Sequence, residues 1–193
     1  MGSRRWFDFT TRDLAVIAVM IAGTGAFQFA WSHLVFQAQV LGPFANAFTS
    51  LGFMFWSFLA VYLVPKPGSA TLVKGIGAVV EVLLGNPYGP VAIFYGAVEG
   101  LGVDLAFWLF RRQWGLNMMI VGALFAHFLA GPVDVYRDAV PLRLDALVTY
   151  FTPGVLGKVW TSWLSSLIIA ALSRAGIGRP RQDAAVAQKA AHP

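Results

Sequence analysis

The sequence predicts an all-α integral membrane protein: a bundle of six transmembrane helices with both termini on the cytoplasmic side. Three observations predict it. Of 193 residues, 58% are hydrophobic and 12% charged, against about 25% charged in an ordinary globular chain. The apolar residues fall in runs close to the ~20 residues that cross a bilayer as a helix. Most lysines and arginines lie between these runs, on one side of the predicted bundle. The formal charge of +5 therefore reads as a topology signal and not as a nucleic-acid footprint. Cysteine is absent, which excludes disulfides, thiolate metal sites and thiol nucleophiles.

Taken in order, helix 1 is expected over residues 14–36, helix 2 over 44–64 and helix 3 over 69–84. Helix 4 is expected over 91–110, helix 5 over 116–135 and helix 6 over 154–173. Turn chemistry breaks each run: Gly42-Pro43, Pro65-Lys66-Pro67-Gly68, Gly85-Asn86-Pro87 with Gly89-Pro90, Arg111 to Gly115, and Thr152-Pro153-Gly154. Residues 142–151 are apolar but carry Arg143 and Asp145; they read as an interfacial segment too short to span. Residues 1–175 form one membrane domain, and 176–193, rich in alanine, glutamine and charge, read as a disordered cytoplasmic tail. Arg4, Arg5 and Arg12 precede helix 1, Lys66 lies between helices 2 and 3, and Arg111 and Arg112 lie between 4 and 5. Arg174, Arg179 and Arg181 follow helix 6, while the 1–2 and 3–4 connections hold no lysine or arginine. Both ends are thus expected inside.

Ionisable groups inside spanning helices cost a few kcal/mol each on insertion scales (about 2.5–3.5), so each needs a partner or a purpose. Helix 3 carries Glu81, helix 4 Glu99 and Asp104, helix 5 His127 and Asp134, and helix 6 Lys158. Asp104, two turns from Arg111, reads as structural. Tyr95, Glu99, Gly102 and Ala106 share one face of helix 4; Ala123, His127, Gly131 and Asp134 share one of helix 5. Lys158, Ser162 and Ser165 share one of helix 6. Small residues beside polar ones mark inward faces, which are expected to enclose a polar pocket open to the outside. Trp31, Trp160 and Trp163 are candidates for its aromatic wall. A structural ion pair between Glu81 and Lys158 is an open alternative. On helix 1, Ala18, Ala22 and Ala26 recur every fourth residue, a smooth stripe for close helix approach. No P-loop, H-E-x-x-H or G-x-S-x-G string occurs, so neither ATP hydrolysis through a P-loop nor these enzyme classes are expected, and no metal or cofactor site is foreseen.

Two strings carry a resemblance. Lys66-Pro67-Gly68-Ser69-Ala70-Thr71-Leu72-Val73 continues through Val80-Glu81-Val82-Leu83-Leu84-Gly85-Asn86-Pro87-Tyr88-Gly89-Pro90. Glu99-Gly100-Leu101-Gly102-Val103-Asp104 follows, before an aromatic-basic end at Phe107 to Arg112. They resemble the YkoE family of substrate-binding (S) components of energy-coupling factor (ECF) vitamin transporters. The resemblance implies a subunit without its own ATPase that takes up thiamine or its hydroxymethylpyrimidine precursor from outside. Its partners would be a transmembrane coupling subunit, met through Ala18, Ala22 and Ala26, and separate ATPase subunits. It puts Glu81 and Asn86 in the family's Glu-x-x-x-Gly-Asn-Pro string; Tyr88, Tyr95, Glu99, His127, Asp134 and Lys158 join them as candidate ligands from the polar faces of the helices and the turn. Thiamine carries a thiazolium charge and an aminopyrimidine; Glu81 or Glu99 suits the cation or the ring amine, and Asn86 the ring nitrogens. Lys158 would repel the thiazolium unless Asp134 or another acid neutralised it; a neutral hydroxymethylpyrimidine avoids that conflict. The 1–2 connection, residues 35–43, is expected to cover the pocket. A second reading, a stand-alone or proton-coupled small-molecule carrier with a Glu99, His127 and Asp134 relay, stays open.

Overall fold

The computed structural model describes residues 9–38, 40, 43–137 and 139–177. Arg4, Arg5, residues 178–193 and part of the expected cover (39, 41 and 42) lie outside the described residues. The described chain forms six α-helices: α1 (Thr11–Ala38), α2 (Pro43–Leu63), α3 (Ser69–Leu83), α4 (Val91–Leu109), α5 (Leu116–Arg137) and α6 (Leu144–Arg174). Four of them, α1, α4, α5 and α6, are long and apolar enough to cross a membrane. α2 contains the apolar stretch Ser50–Leu63. α3 has 15 residues, about 22 Å at 1.5 Å per residue.

Helix starts follow local chemistry. Thr10 N and Oγ1 each donate to Asp13 Oδ2 at 2.8 Å, and Asp13 N donates to Thr10 Oγ1 at 3.2 Å, a reciprocal cap on the orphan amides of α1. Asp13 also meets Lys66 Nζ at 2.6 Å, which ties the start of α1 to the α2–α3 turn. That turn needs Gly68, whose φ is 85°. The first amides of α3 then donate to Asp104 of α4, from Ala70 N at 3.3 Å and Thr71 N at 2.9 Å, with Thr71 Oγ1 at 2.6 Å. Asp104 is therefore structural, as its position implied, but its partner is a helix N-terminus and not Arg111.

α6 corrects the expectation of a break before residue 154. It begins at Leu144 and runs through Pro153, so residues 142–151 are not a separate interfacial piece. Proline removes one backbone donor, and the helix tolerates this where neighbouring groups compensate. The Thr149 carbonyl is the one left without its amide donor, while the Thr149 and Thr152 hydroxyls donate to the Asp145 and Val148 carbonyls at 2.8 and 2.6 Å.

The helices close a ring in the order α1, α3, α4, α5, α6, α2 and back to α1, with α2 also reaching α3 and α4 across it. α4 approaches both neighbours at backbone distance. A Cβ on Gly100 would lie 2.5 Å from Thr71 Cα, and one on Gly102 2.4 Å from Ala126 N. Glycine alone permits such contacts. The apolar core, with Met20, Phe58, Val73, Phe107, Met119 and Ile169, fills the end of the ring where α1, α3 and α5 begin. The opposite end is polar.

A polar cavity lined by all six helices

A cavity of about 160 Å³ opens where α1, α3 and α5 finish and α2, α4 and α6 start. Every helix lines it: Gln28 from α1, Phe53 from α2, Lys74 and Glu81 from α3, Tyr95 and Glu99 from α4, His127 and Asp134 from α5, and Gly154 and Lys158 from α6. Asn86 and Tyr88 reach it from the α3–α4 turn.

Its polar groups form three clusters. In the first, Ser32 Oγ and Asn86 Nδ2 both donate to Glu81 Oε1. Asn86 Oδ1 accepts from Tyr88 N at 2.6 Å. Asn86 comes back over the end of α3 because Gly85 and Gly89 take φ of 98° and 64°, and its amide donates to Glu81 O at 3.2 Å. All three side chains of the cluster are buried, so the carboxylate must be satisfied by its neighbours.

In the second cluster, Lys74 Nζ meets Glu99 Oε2 at 2.7 Å and donates to the Phe53 carbonyl at 2.8 Å. Lys158 Nζ lies 3.9 Å from Glu99 Oε1. In the third, Tyr95 Oη donates to Asp134 Oδ1 at 2.6 Å, and Arg137 donates to Tyr95 Oη at 3.0 Å and lies 3.5 Å from Asp134. His127 packs edge-on against Phe151 at 5.3 Å. Its ring fills the space a side chain at Gly154 would need, 2.4 Å from the hypothetical Cβ. His127 Nε2 is buried with no hydrogen-bond partner.

Glu81, Asn86, Tyr88, Tyr95, Glu99, His127, Asp134 and Lys158 are thus brought to one cavity. The alternative of a Glu81–Lys158 ion pair is not formed: Glu81 is held by Ser32 and Asn86, and the acid nearest Lys158 is Glu99. No hydrogen bond links Glu99 to His127. The three tryptophans do not line the cavity. Trp31 stacks on Phe27 at 5.7 Å and lies over Gly52. Trp160 and Trp163 pack on each other at 5.2 Å with 46% and 44% of their surface exposed. Lys158, Thr161, Ser162 and Ser165 take the buried face of α6, and helical rotation turns the two indoles outward. Val35, at the start of the expected cover, lines the cavity. Ala18, Ala22 and Ala26 lie on the exposed side of α1.

Lys74, Gln28 and Ser32 are cavity or cluster residues that sequence reasoning missed. Signals existed. Lys74 and Glu81 are seven residues apart, on one face of α3. Thr24, Gln28 and Ser32 form a buried polar row at four-residue spacing, opposite the alanine stripe. Among the described residues no three His, Cys, Asp or Glu side chains gather in a way that could hold a metal ion.

Comparison with known proteins adds three findings. The model of the family described as "ABC-type cobalt transport system, permease component" matches residues 12–129. The putative HMP/thiamine permease protein YkoE of Bacillus subtilis (strain 168) is 39% identical over 69 residues, 35% of this chain and 35% of that protein. The chain therefore matches about a third of that relative's length. A crystal structure of an S-component of an ECF transporter shares the fold, with a TM-score of 0.75 and 20% identity over 95% of this chain and 97% of that one.

Proposed function

We propose, from the premise that this chain belongs to the family of permease components of ABC-type cobalt transport systems, that it is the substrate-capture subunit of an ECF-type importer. Family and apolar helices together make it a multi-pass protein of the bacterial plasma membrane. In our reading all six helices lie in the bilayer, both termini are cytoplasmic, and the cavity faces outside. The ligand is thiamine or its hydroxymethylpyrimidine precursor, the compounds in the printed name of the B. subtilis relative. A coupling subunit and separate ATPase subunits supply the energy; the chain itself catalyses nothing.

One observation carries this reading: a polar cavity, lined from every helix, at one end of a bundle whose other end is apolar. Charged groups at membrane depth mark substrate pathways. Glu81, Glu99 and Asp134 each already hold hydroxyl, amide or ammonium partners. That arrangement suits the hydrogen-bonding edge of an organic ring more than a bare divalent cation, which needs oxygen, nitrogen or sulfur donors converging on a point. Glu81 is oriented by Ser32 and Asn86, as an acceptor for a ring amine should be.

Calorimetry on the detergent-solubilised chain tests this. Thiamine or hydroxymethylpyrimidine should bind, and Glu81→Gln should weaken binding by more than tenfold, about 1.4 kcal/mol. Unchanged affinity would remove Glu81 from the site.

A further inference from the structure

The charged side chains that line the cavity balance: Lys74, Arg137 and Lys158 stand against Glu81, Glu99 and Asp134. A cationic ligand would add a positive charge to this partly desolvated space unless a resident cation left it. Lys74 is badly placed to leave. Its side chain is 1% exposed and holds Glu99 at 2.7 Å and the Phe53 carbonyl at 2.8 Å. The Lys158 side chain is 11% exposed. Arg137 differs: it stands in the last turn of α5, its side chain is 38% exposed, and it reaches Asp134 at 3.5 Å. A partly exposed pair at that distance is weak, and a guanidinium at the helix end has water within reach.

Arg137 also occupies a place made for a cation. Its guanidinium carbon lies over the Tyr95 ring, 5.4 Å from the centroid, and Nη1 donates to Tyr95 Oη at 3.0 Å. An aromatic face beside a carboxylate is what attracts an organic cation. Tyr95 Oη itself donates to Asp134 Oδ1 at 2.6 Å, so the acid stays aimed when Arg137 departs. Glu81 permits no such exchange. Its carboxylate is held by the neutral Ser32 and Asn86, so a cation arriving there displaces no resident charge.

We propose that Tyr95 and Asp134 form a subsite for a singly charged organic cation on the ligand, such as a thiazolium, and that Arg137 fills this subsite in the empty cavity and swings out to water when the ligand enters. This deepens the vitamin-capture reading and rests on it. The exchange keeps the lining and ligand together neutral. A cationic ligand then binds only the fraction of molecules in which Arg137 is out, which lowers its apparent affinity. A neutral ligand leaves Arg137 in place and meets no such competition. Arg137 is thus a specificity-determining residue.

Two ligands of the same shape and different charge isolate the effect: thiamine, and 3-deazathiamine, in which a neutral thiophene replaces the thiazolium. Both are titrated calorimetrically at neutral pH into the full chain in detergent, and the ratio of thiamine to deazathiamine affinity is read. In Arg137→Met the ratio should rise at least about tenfold, because the competitor is gone. In Asp134→Asn it should fall at least about tenfold, because the subsite loses its charge. A ratio unchanged or lowered in a folded Arg137→Met would overturn the role of Arg137. A ratio unmoved by Asp134→Asn would overturn the subsite, whatever the fate of the first variant. Binding of deazathiamine or hydroxymethylpyrimidine without binding of thiamine leaves the vitamin reading standing and sinks only this inference, whereas binding of none of the three sinks both.

Discussion

At Lys74 a buried ammonium reaches Glu99 at 2.7 Å and the Phe53 carbonyl at 2.8 Å, with 1% of the residue exposed. Removing it leaves Glu99 with only Lys158 at 3.9 Å. Breaking a buried pair from one side typically costs about 3–5 kcal/mol, because the remaining charge stays desolvated. Lys74→Met should therefore lower the thermal midpoint in detergent, and adding Glu99→Gln should restore much of it. A melting curve for Lys74→Met that overlays the wild type would show that the pair holds nothing together. The same residue shows what one side chain conceals in a sequence. Eight residues beyond Lys66, in the first half of a short helix, it fits an interfacial lysine whose stem snorkels toward headgroups. Its partners, Glu99 and the Phe53 carbonyl, show that it points inward.

Among the elements, α4 is the most constrained, since it meets α3 through Gly100 and α5 through Gly102. A larger residue at 102 forces α4 and α5 apart, and overpacking of this kind costs about 1–3 kcal/mol or more. Glu99 and His127 sit on those two helices, so the cavity widens with them. Gly102→Leu is expected to lower both the thermal midpoint and ligand affinity, the latter by at least tenfold in calorimetry. Gly115→Ala, at a site with nothing within 4 Å, should change neither. α6 makes a different point: its helix continues through Pro153 with threonine hydroxyls close by. Proline is a sound break signal in water, but in an apolar bundle the demand for intrahelical hydrogen bonds is stronger.

Across the whole molecule, polar and apolar functions are segregated by end: a charged cavity where α2, α4 and α6 begin, and a methionine- and phenylalanine-rich core where they finish. The outer surface of α1 is separate from both. Ala18, Ala22 and Ala26 are exposed there while Thr24, Gln28 and Ser32 face inward. If that stripe meets a coupling subunit, bulk on it should block assembly without touching the cavity. Ala22→Leu should keep wild-type ligand affinity and lose most co-purification with a coexpressed coupling subunit. Full retention of the complex would place the interface elsewhere.

Sequence alone determined that the chain is helical and membrane-embedded, where most helices end, and which acids and histidine were too costly to be idle. Those properties are local: hydropathy, turn residues and insertion cost are carried by neighbours along the chain. Glu81, Glu99, His127, Asp134 and Lys158 were legible because each is expensive in an apolar helix, and Asn86 through the resemblance carried by its turn string. The tertiary structure decided which charge meets which, that Lys74 takes Glu99, that Glu81 turns to Ser32 and Asn86, and that Trp31, Trp160 and Trp163 face away. A helical period places a residue on a face, but not the face against a neighbour. That depends on the order of helices around the ring and on the close glycine contacts that set their rotation.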